Sequence, residues 1–276
     1  MTQADTLSVL RDVFFIGMLG LAAGLVVYKG IREGGGRAWN LQGNVLARPY
    51  NVLDGFAALL LLTLMGGTFI LGQSGTETAK AVDAADRESI SALVAGMVYM
   101  SVVCGMILVY LRFVRGMNPP EIFGLRQMSM ARALLLAVPW VTIAYIAMVG
   151  VNALIEDRLP DSGSQEIVES FRESGNSGYR IMTAFMAIVF APLTEEFIFR
   201  GFLYGITKRF TDRWFAAIFS AIMFSVVHFH VGSALPLFVL GVVMAVAYEQ
   251  TGSLYVPLFM HAIFNAVNII QLVAST

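Results

Sequence analysis

Apolar runs of roughly twenty residues alternate along this chain with short polar stretches, and that spacing suits helices that cross a bilayer rather than barrel strands. The pattern predicts eight such helices. They run from Val13 to Tyr28, Val52 to Leu71, Ile90 to Leu111, Ala133 to Ile155, Tyr179 to Thr207, Trp214 to His230, Ala234 to Tyr248 and Leu254 to Val273. Pro139 is placed to kink the fourth. Between the fourth and fifth, Ile167, Val168 and Phe171 share a helical face among Gln165, Glu166, Glu169 and Arg172, which predicts a short helix lying at the interface or in a solvated loop. The fold class is therefore an all-α polytopic membrane protein of about eight transmembrane helices. A polar site within the membrane is formed by the last four.

The intervening loops carry the charge. Lys29, Arg32, Arg37 and Arg48 lie between helices one and two, and Arg112, Arg115, Arg126 and Arg132 between three and four. Lys208, Arg209 and Arg213 make the tight turn between five and six. Counting Lys and Arg, these loops outweigh the N-terminal segment and the other early loops, which favours an N-terminus outside. Asp5 and Asp12 spoil the basic flank that a signal peptide needs, so the first helix reads as uncleaved.

Composition narrows the class. Of 276 residues, 57% are hydrophobic and only 13% charged, against about 25% charged in an ordinary soluble domain. The net charge of −1 offers no basic field for nucleic acid. A single cysteine, Cys104, excludes an internal disulfide and reads as packing. No polar stretch is long enough for a second soluble domain.

Against that background the segment Ala191-Pro-Leu-Thr-Glu-Glu-Phe-Ile-Phe-Arg-Gly201 stands out, because it puts Glu195, Glu196 and Arg200 inside an otherwise apolar run. Ionisable groups in membrane helices cost several kcal/mol and mark function. Glu196 and Arg200, at i and i+4, can neutralise one another. Glu195, about 100° away around the helix, is left over. All three histidines fall in the last segments: His228 and His230 at the end of helix six, and His261 in helix eight with Asn265 one turn later. Phe224 lies one turn before His228. Counted from the turn at Lys208–Arg213 at 1.5 Å per residue, Glu195 and His228 lie about 20 and 22 Å deep. His261 and Asn265 come to about 14 and 20 Å from Gly252 by the same rise. Three helices thus bring a carboxylate, two imidazoles and an amide to a shared depth. His230, two residues on, points away and reads as a packing partner, as does Asn268; Tyr204 and Phe199 read as core.

Such a set can activate water. A partly desolvated Glu195, with His228, can take a proton from a water that attacks a carbonyl. His261 and Asn265 can aim donors at the resulting oxyanion. A metal-bound version fits as well, with Glu195, His228 and His261 as ligands of Zn2+ and an open position for water. Glu196 would then have to act as base, against its pairing with Arg200. The HExxH pattern of zinc proteases is absent, and the residues leave metal-bound and metal-free sites equally open.

Glu195-Glu196-x-x-x-Arg200, Phe224-x-x-x-His228 and His261-x-x-x-Asn265 together resemble the three motifs of the CPBP intramembrane proteases, which include the type II CAAX prenyl endopeptidases and the abortive-infection-like proteins of bacteria. The likeness takes in Phe123-Gly-Leu-Arg126, the Gln165-Glu-Ile-Val segment and Gly201. It covers roughly residue 120 to the end, dividing the chain into residues 1–118, three helices with basic loops, and a protease-like core at 119–276. The resemblance implies that Glu195 and His228 activate the water, that His261 and Asn265 hold the oxyanion, and that Glu196, Arg200 and Phe224 support them. It leaves both a metal-dependent and a metal-free glutamate mechanism open.

The expected function is hydrolysis of a peptide bond in a membrane-associated or lipidated protein, within the multi-pass setting of a bacterial inner membrane. Partners are the bilayer and such a substrate, with no nucleic acid; the oligomeric state is not readable. Two rival readings remain: a non-catalytic scaffold or immunity protein, and an ion-coupled transporter. The latter calls for an internal repeat, and the sequence shows none.

Overall fold

A computed structural model describes residues 43–73, 90–155, 166–228 and 231–274. The first expected helix, Val13 to Tyr28, and His230 lie outside the described residues. The other seven expected segments are helical. In chain order they are α1 (Val52–Gln73), α2 (Ile90–Val109, continued by a π-helical turn at Tyr110–Val114), the short α3 (Pro119–Ile122), α4 (Met130–Ile155), α5 (Glu166–Glu173), α6 (Ser177–Phe210), α7 (Arg213–Val226), α8 (Val231–Thr251) and α9 (Tyr255–Ala274). Five are long and apolar enough to span a membrane, beginning at Ile90, Met130, Ser177, Ser233 and Tyr255. Two apolar helices, Val52–Met65 and Arg213–Val226, are shorter. The short helix expected after helix four is α5, whose Phe171 is buried.

Polar residues set the helix starts. Asn51 accepts from Leu53 N–H at 2.9 Å while Asp54 accepts from Asn51 N–H at 2.6 Å, a reciprocal cap. Asn176 caps α6 at Gly178 and Tyr179, and Asp212 caps α7 at Trp214 and Phe215 with bonds of 2.7 and 2.9 Å.

Helix six of the sequence reading ends early. The helix stops at Val226, and His228 sits on the turn that follows, its N–H on the Ser225 carbonyl. Fourteen residues reach about 21 Å, short of the ~30 Å hydrocarbon core. In a bilayer, a chain that turns back after so short a helix keeps its non-helical backbone only inside protein or beside water. Helix five also departs from expectation. α6 contains two π-helical stretches, Met186–Phe190 and Phe197–Tyr204, with the carboxylates between them on Ala191–Glu196.

The opposite end of the bundle is a closed polar cap. Arg115 holds Asp54 through two bonds of 2.8 and 3.2 Å and also reaches the Pro49 carbonyl. Lys208 Nζ sits 2.7 and 2.9 Å from the two Glu249 oxygens and 2.9 Å from the Val45 carbonyl, and Tyr204 donates to the same carboxylate. Burial pushes the Tyr50 phenol above its usual range, and this neutral hydroxyl donates to the Gly201 carbonyl. Leu254 N–H bonds the Phe123 carbonyl at 3.0 Å. At Gly124, with φ of 64°, a Cβ would lie 1.7 Å from the Gly252 carbonyl oxygen, so only glycine lets the two loops meet.

Candidate active site

α6 carries the two carboxylates in different directions. Glu196 is fully buried. Its Oε1 accepts from Arg200 Nη1 at 2.7 Å, the i,i+4 pair expected from the sequence, and from His261 Nδ1 at 3.0 Å. Arg200, also fully buried, lays its guanidinium over the Phe224 ring at 4.5 Å and donates through Nη2 to the Gly241 carbonyl. A Cβ on Gly241 would sit 2.9 Å from that of Ala221, so this glycine permits the close approach of α7 and α8. Phe224 in turn packs edge-on against both imidazoles, with centroids 4.9 Å from His228 and 5.5 Å from His261.

Glu195 points the other way, with 16% of its side chain exposed. Its Oε2 lies 3.9 Å from His228 Nε2 and 3.9 Å from His261 Nε2, and it has no hydrogen-bond partner among the described residues. The tautomers follow from the far side of each ring. His228 Nδ1 is 2.7 Å from the Phe224 carbonyl, which can only accept, so Nδ1 carries the proton. His261 Nδ1 faces the Glu196 carboxylate, with the same consequence. In the neutral form, each ring so oriented presents a bare Nε2 to Glu195. Three acceptors face one small space, a combination that holds together only around a donor or a cation.

Two occupants meet that requirement. A water at about 2.8 Å donates to two acceptors 3.9 Å apart, Glu195 Oε2 and one Nε2, at close to a right angle. Zinc bonds of about 2.0–2.2 Å in tetrahedral array put ligands about 3.4 Å apart. The three side chains fit zinc in donor chemistry, with a carboxylate holding the outer nitrogen of His261 as zinc-site histidines are commonly held. They stand slightly too far apart for it, and no three such groups among the described residues are already at metal spacing.

Asn265, expected near His261, is partly buried and donates from Nδ2 to the Ala187 carbonyl at 2.7 Å. The reason is local. In the π-turn the Ala191 N–H bonds Met186, and the next residue, Pro192, has no N–H to offer Ala187. The proline thus frees a carbonyl that Asn265 satisfies, while the second amide hydrogen of Asn265 is left over. Phe199 and Tyr204 are buried core, and Asn268 faces the Tyr145 hydroxyl at 3.5 Å. Cys104 lies 3.9 Å from the carbonyl of Thr194, the residue before Glu195. The sequence reading missed the Glu196–His261 bond and the Ala187 acceptor. Pro192 was the one signal for the second, and nothing in the sequence signals the first.

An apolar groove of about 640 Å3 runs between α2 and the first half of α6, lined by Val94, Met97, Ser101, Ile181, Phe185 and Phe190. Phe190, in its lining, is five residues before Glu195.

Residues 177–267 match the family of Rce1-like type II CAAX prenyl endopeptidases. The matched stretch contains all three motifs, so the likeness to the CPBP proteases read from them stands, and it supports a protease. The chain is also similar to a Bacillus subtilis protein named "Putative membrane peptidase YdiL", with 30% identity over 83 residues. That alignment covers 30% of this chain and 34% of the relative, so the chain spans about a third of the length of the curated relative it matches. No solved structure matches.

Proposed function

We propose that this protein is an intramembrane endopeptidase in which Glu195, His228 and His261 surround and activate a water. The observation that carries the reading is the convergence of three acceptor atoms, from α6, the α7–α8 turn and α9, on one partly exposed space. A water there donates one hydrogen to the bare Nε2 of His228 and the other to the Glu195 carboxylate, and it loses the second proton to Glu195 as its oxygen bonds to the peptide carbonyl carbon. The proton passes on to the departing amine nitrogen as the C–N bond breaks, leaving a carboxylate and an amine. Glu196, anchored by Arg200, keeps His261 in the required tautomer. Asn265, through its unused amide hydrogen, would meet the oxyanion; with His261 turned toward Glu195, that task falls to the amide. If zinc is resident, Glu195, His228 and His261 hold it and it supplies Lewis-acid polarisation.

The substrate on this reading is a membrane protein or lipidated peptide. Its apolar portion lies in the groove between α2 and α6, leading the scissile bond toward Glu195. A multi-pass protein with this site belongs in the cell membrane, and the bacterial relative favours the inner membrane of a bacterium.

The test is cleavage of a membrane-inserted reporter peptide by the purified full chain. Glu195→Gln is expected to lower turnover by about 10²–10⁴-fold while the protein stays folded and monodisperse in detergent. Retained cleavage by Glu195→Gln ends the assignment. Metal analysis with chelation and zinc re-addition in the same assay separates the two forms: bound metal and restored activity mark the zinc site, and full activity in chelator with no metal marks the metal-free one. A proteoliposome flux dependent on Glu195 without cleavage would instead indicate a carrier.

A further inference from the structure

The catalytic reading leaves a second polar pocket unused. It is a cavity of about 220 Å3 at the cap end of the bundle, between the start of α7 and the end of α8, lined by Arg213, Trp214, Ala217, Val246, Glu249 and Gln250. Its position is set by the chain: α6 has just ended at Phe210, α7 begins at Arg213 and α8 ends at Thr251. Apolar helices stop here, so the pocket lies at the level of lipid headgroups. Trp214 is 57% exposed beside it, as tryptophan is at membrane–water boundaries.

The charges around the pocket are not all paired with one another. Glu249, the carboxylate in its wall, is held by Lys208 and Tyr204. Asp212, adjacent in sequence, accepts from the Trp214 and Phe215 amides. The Arg213 guanidinium stacks 5.4 Å from the Trp214 ring and has no carboxylate within ion-pair distance among the described residues. The Arg213 guanidinium is thus free to pair with an incoming anion, while the neighbouring Asp212 is engaged by main-chain amides. Below it the wall is apolar, formed by Ala217 and Val246, and the exposed Ile218 continues down α7. A cationic rim above an apolar wall, at the end of a membrane-spanning bundle, complements an amphiphile with an anionic head.

We propose that this pocket binds the phosphate of a membrane phospholipid, with Arg213 pairing the phosphodiester, Gln250 offering a further donor and the acyl chains running down the α7–α8 seam. Arginine suits the role because its planar fork matches two phosphate oxygens. The apolar wall favours a lipid over free phosphate, which would gain nothing from it. The lipid would brace the seam on which the hairpin carrying His228 depends, without touching the catalytic groups.

The full chain, purified and delipidated in detergent, is titrated with phosphatidylglycerol, with a diacylglycerol of the same tails, and with inorganic phosphate, following the melting temperature. Phosphatidylglycerol is expected to raise it saturably, and the other two are not. In Arg213→Gln the half-saturating lipid concentration should rise by about tenfold or more, the loss expected for one charge-assisted pair. Val246→Trp, which fills the apolar wall and keeps the cation, should weaken the effect likewise and carries the test if Arg213→Gln does not fold. An equal shift with diacylglycerol overturns the phosphate contact, an equal shift with inorganic phosphate overturns the lipid, and an undiminished response in both variants overturns the site.

Discussion

At the scale of single residues, the pair Glu195 and Glu196 shows how two adjacent identical side chains acquire different tasks. Glu196 is buried against Arg200 and the outer nitrogen of His261, and Glu195 is left partly exposed between two Nε2 atoms. Replacing Glu196 with Gln keeps the shape and removes the charge that balances Arg200 and fixes the His261 tautomer. Activity is expected to fall by about 10–100-fold, the usual cost of losing such an orienting partner. The drop should be smaller than for Glu195→Gln and should come with a lower melting temperature, which Glu195→Gln should not show. Steady-state cleavage and thermal unfolding in detergent check both halves. The Glu196–Arg200 pair was legible in the sequence because i,i+4 spacing on a helix is local. The His261 bond was not, because it joins residues 65 positions apart and depends on how α9 is rotated.

At the scale of elements, α6 is the part that sequence periodicity describes least well. A regular 3.6-residue helix was expected, and two π-helical stretches bracket the carboxylates instead. The extra residue per turn changes which carbonyls are satisfied, and Pro192 leaves that of Ala187 without a main-chain donor. Asn265→Ala is therefore expected to leave a partly buried acceptor unsatisfied, at a cost of about 1–3 kcal/mol. In a Pro192→Ala background the new N–H can take over, so the same Asn265→Ala change should cost less. A double-mutant cycle by denaturant unfolding measures that coupling; strict additivity would contradict this account. Helix existence and order were readable from apolar length alone. The early end of α7 was not, since Val227, His228 and Phe229 extend the apolar pattern without a Gly or Pro to break it.

At the scale of the whole molecule, the two ends of the bundle are built differently. The cap end ties residues 43–51 and the later loops to one another through Lys208–Glu249, Arg115–Asp54 and the Gly124–Gly252 contact. Lys208→Met, which strands a buried carboxylate, should destabilise the protein by about 3–5 kcal/mol, whereas Lys208→Met with Glu249→Leu should recover much of that loss. Unfolding in mixed micelles compares the two. The sequence placed basic residues in these loops without revealing that Lys208 is spent internally. The other end holds the hairpin whose first arm, at about 21 Å, does not reach the far face of a typical bilayer. A bilayer meeting so short an arm can thin locally beside it. On the proposed reading, the far surface would dip toward the scissile position like a dimple, and bulk solvent would reach Glu195 without any tunnel having to be cut through the protein.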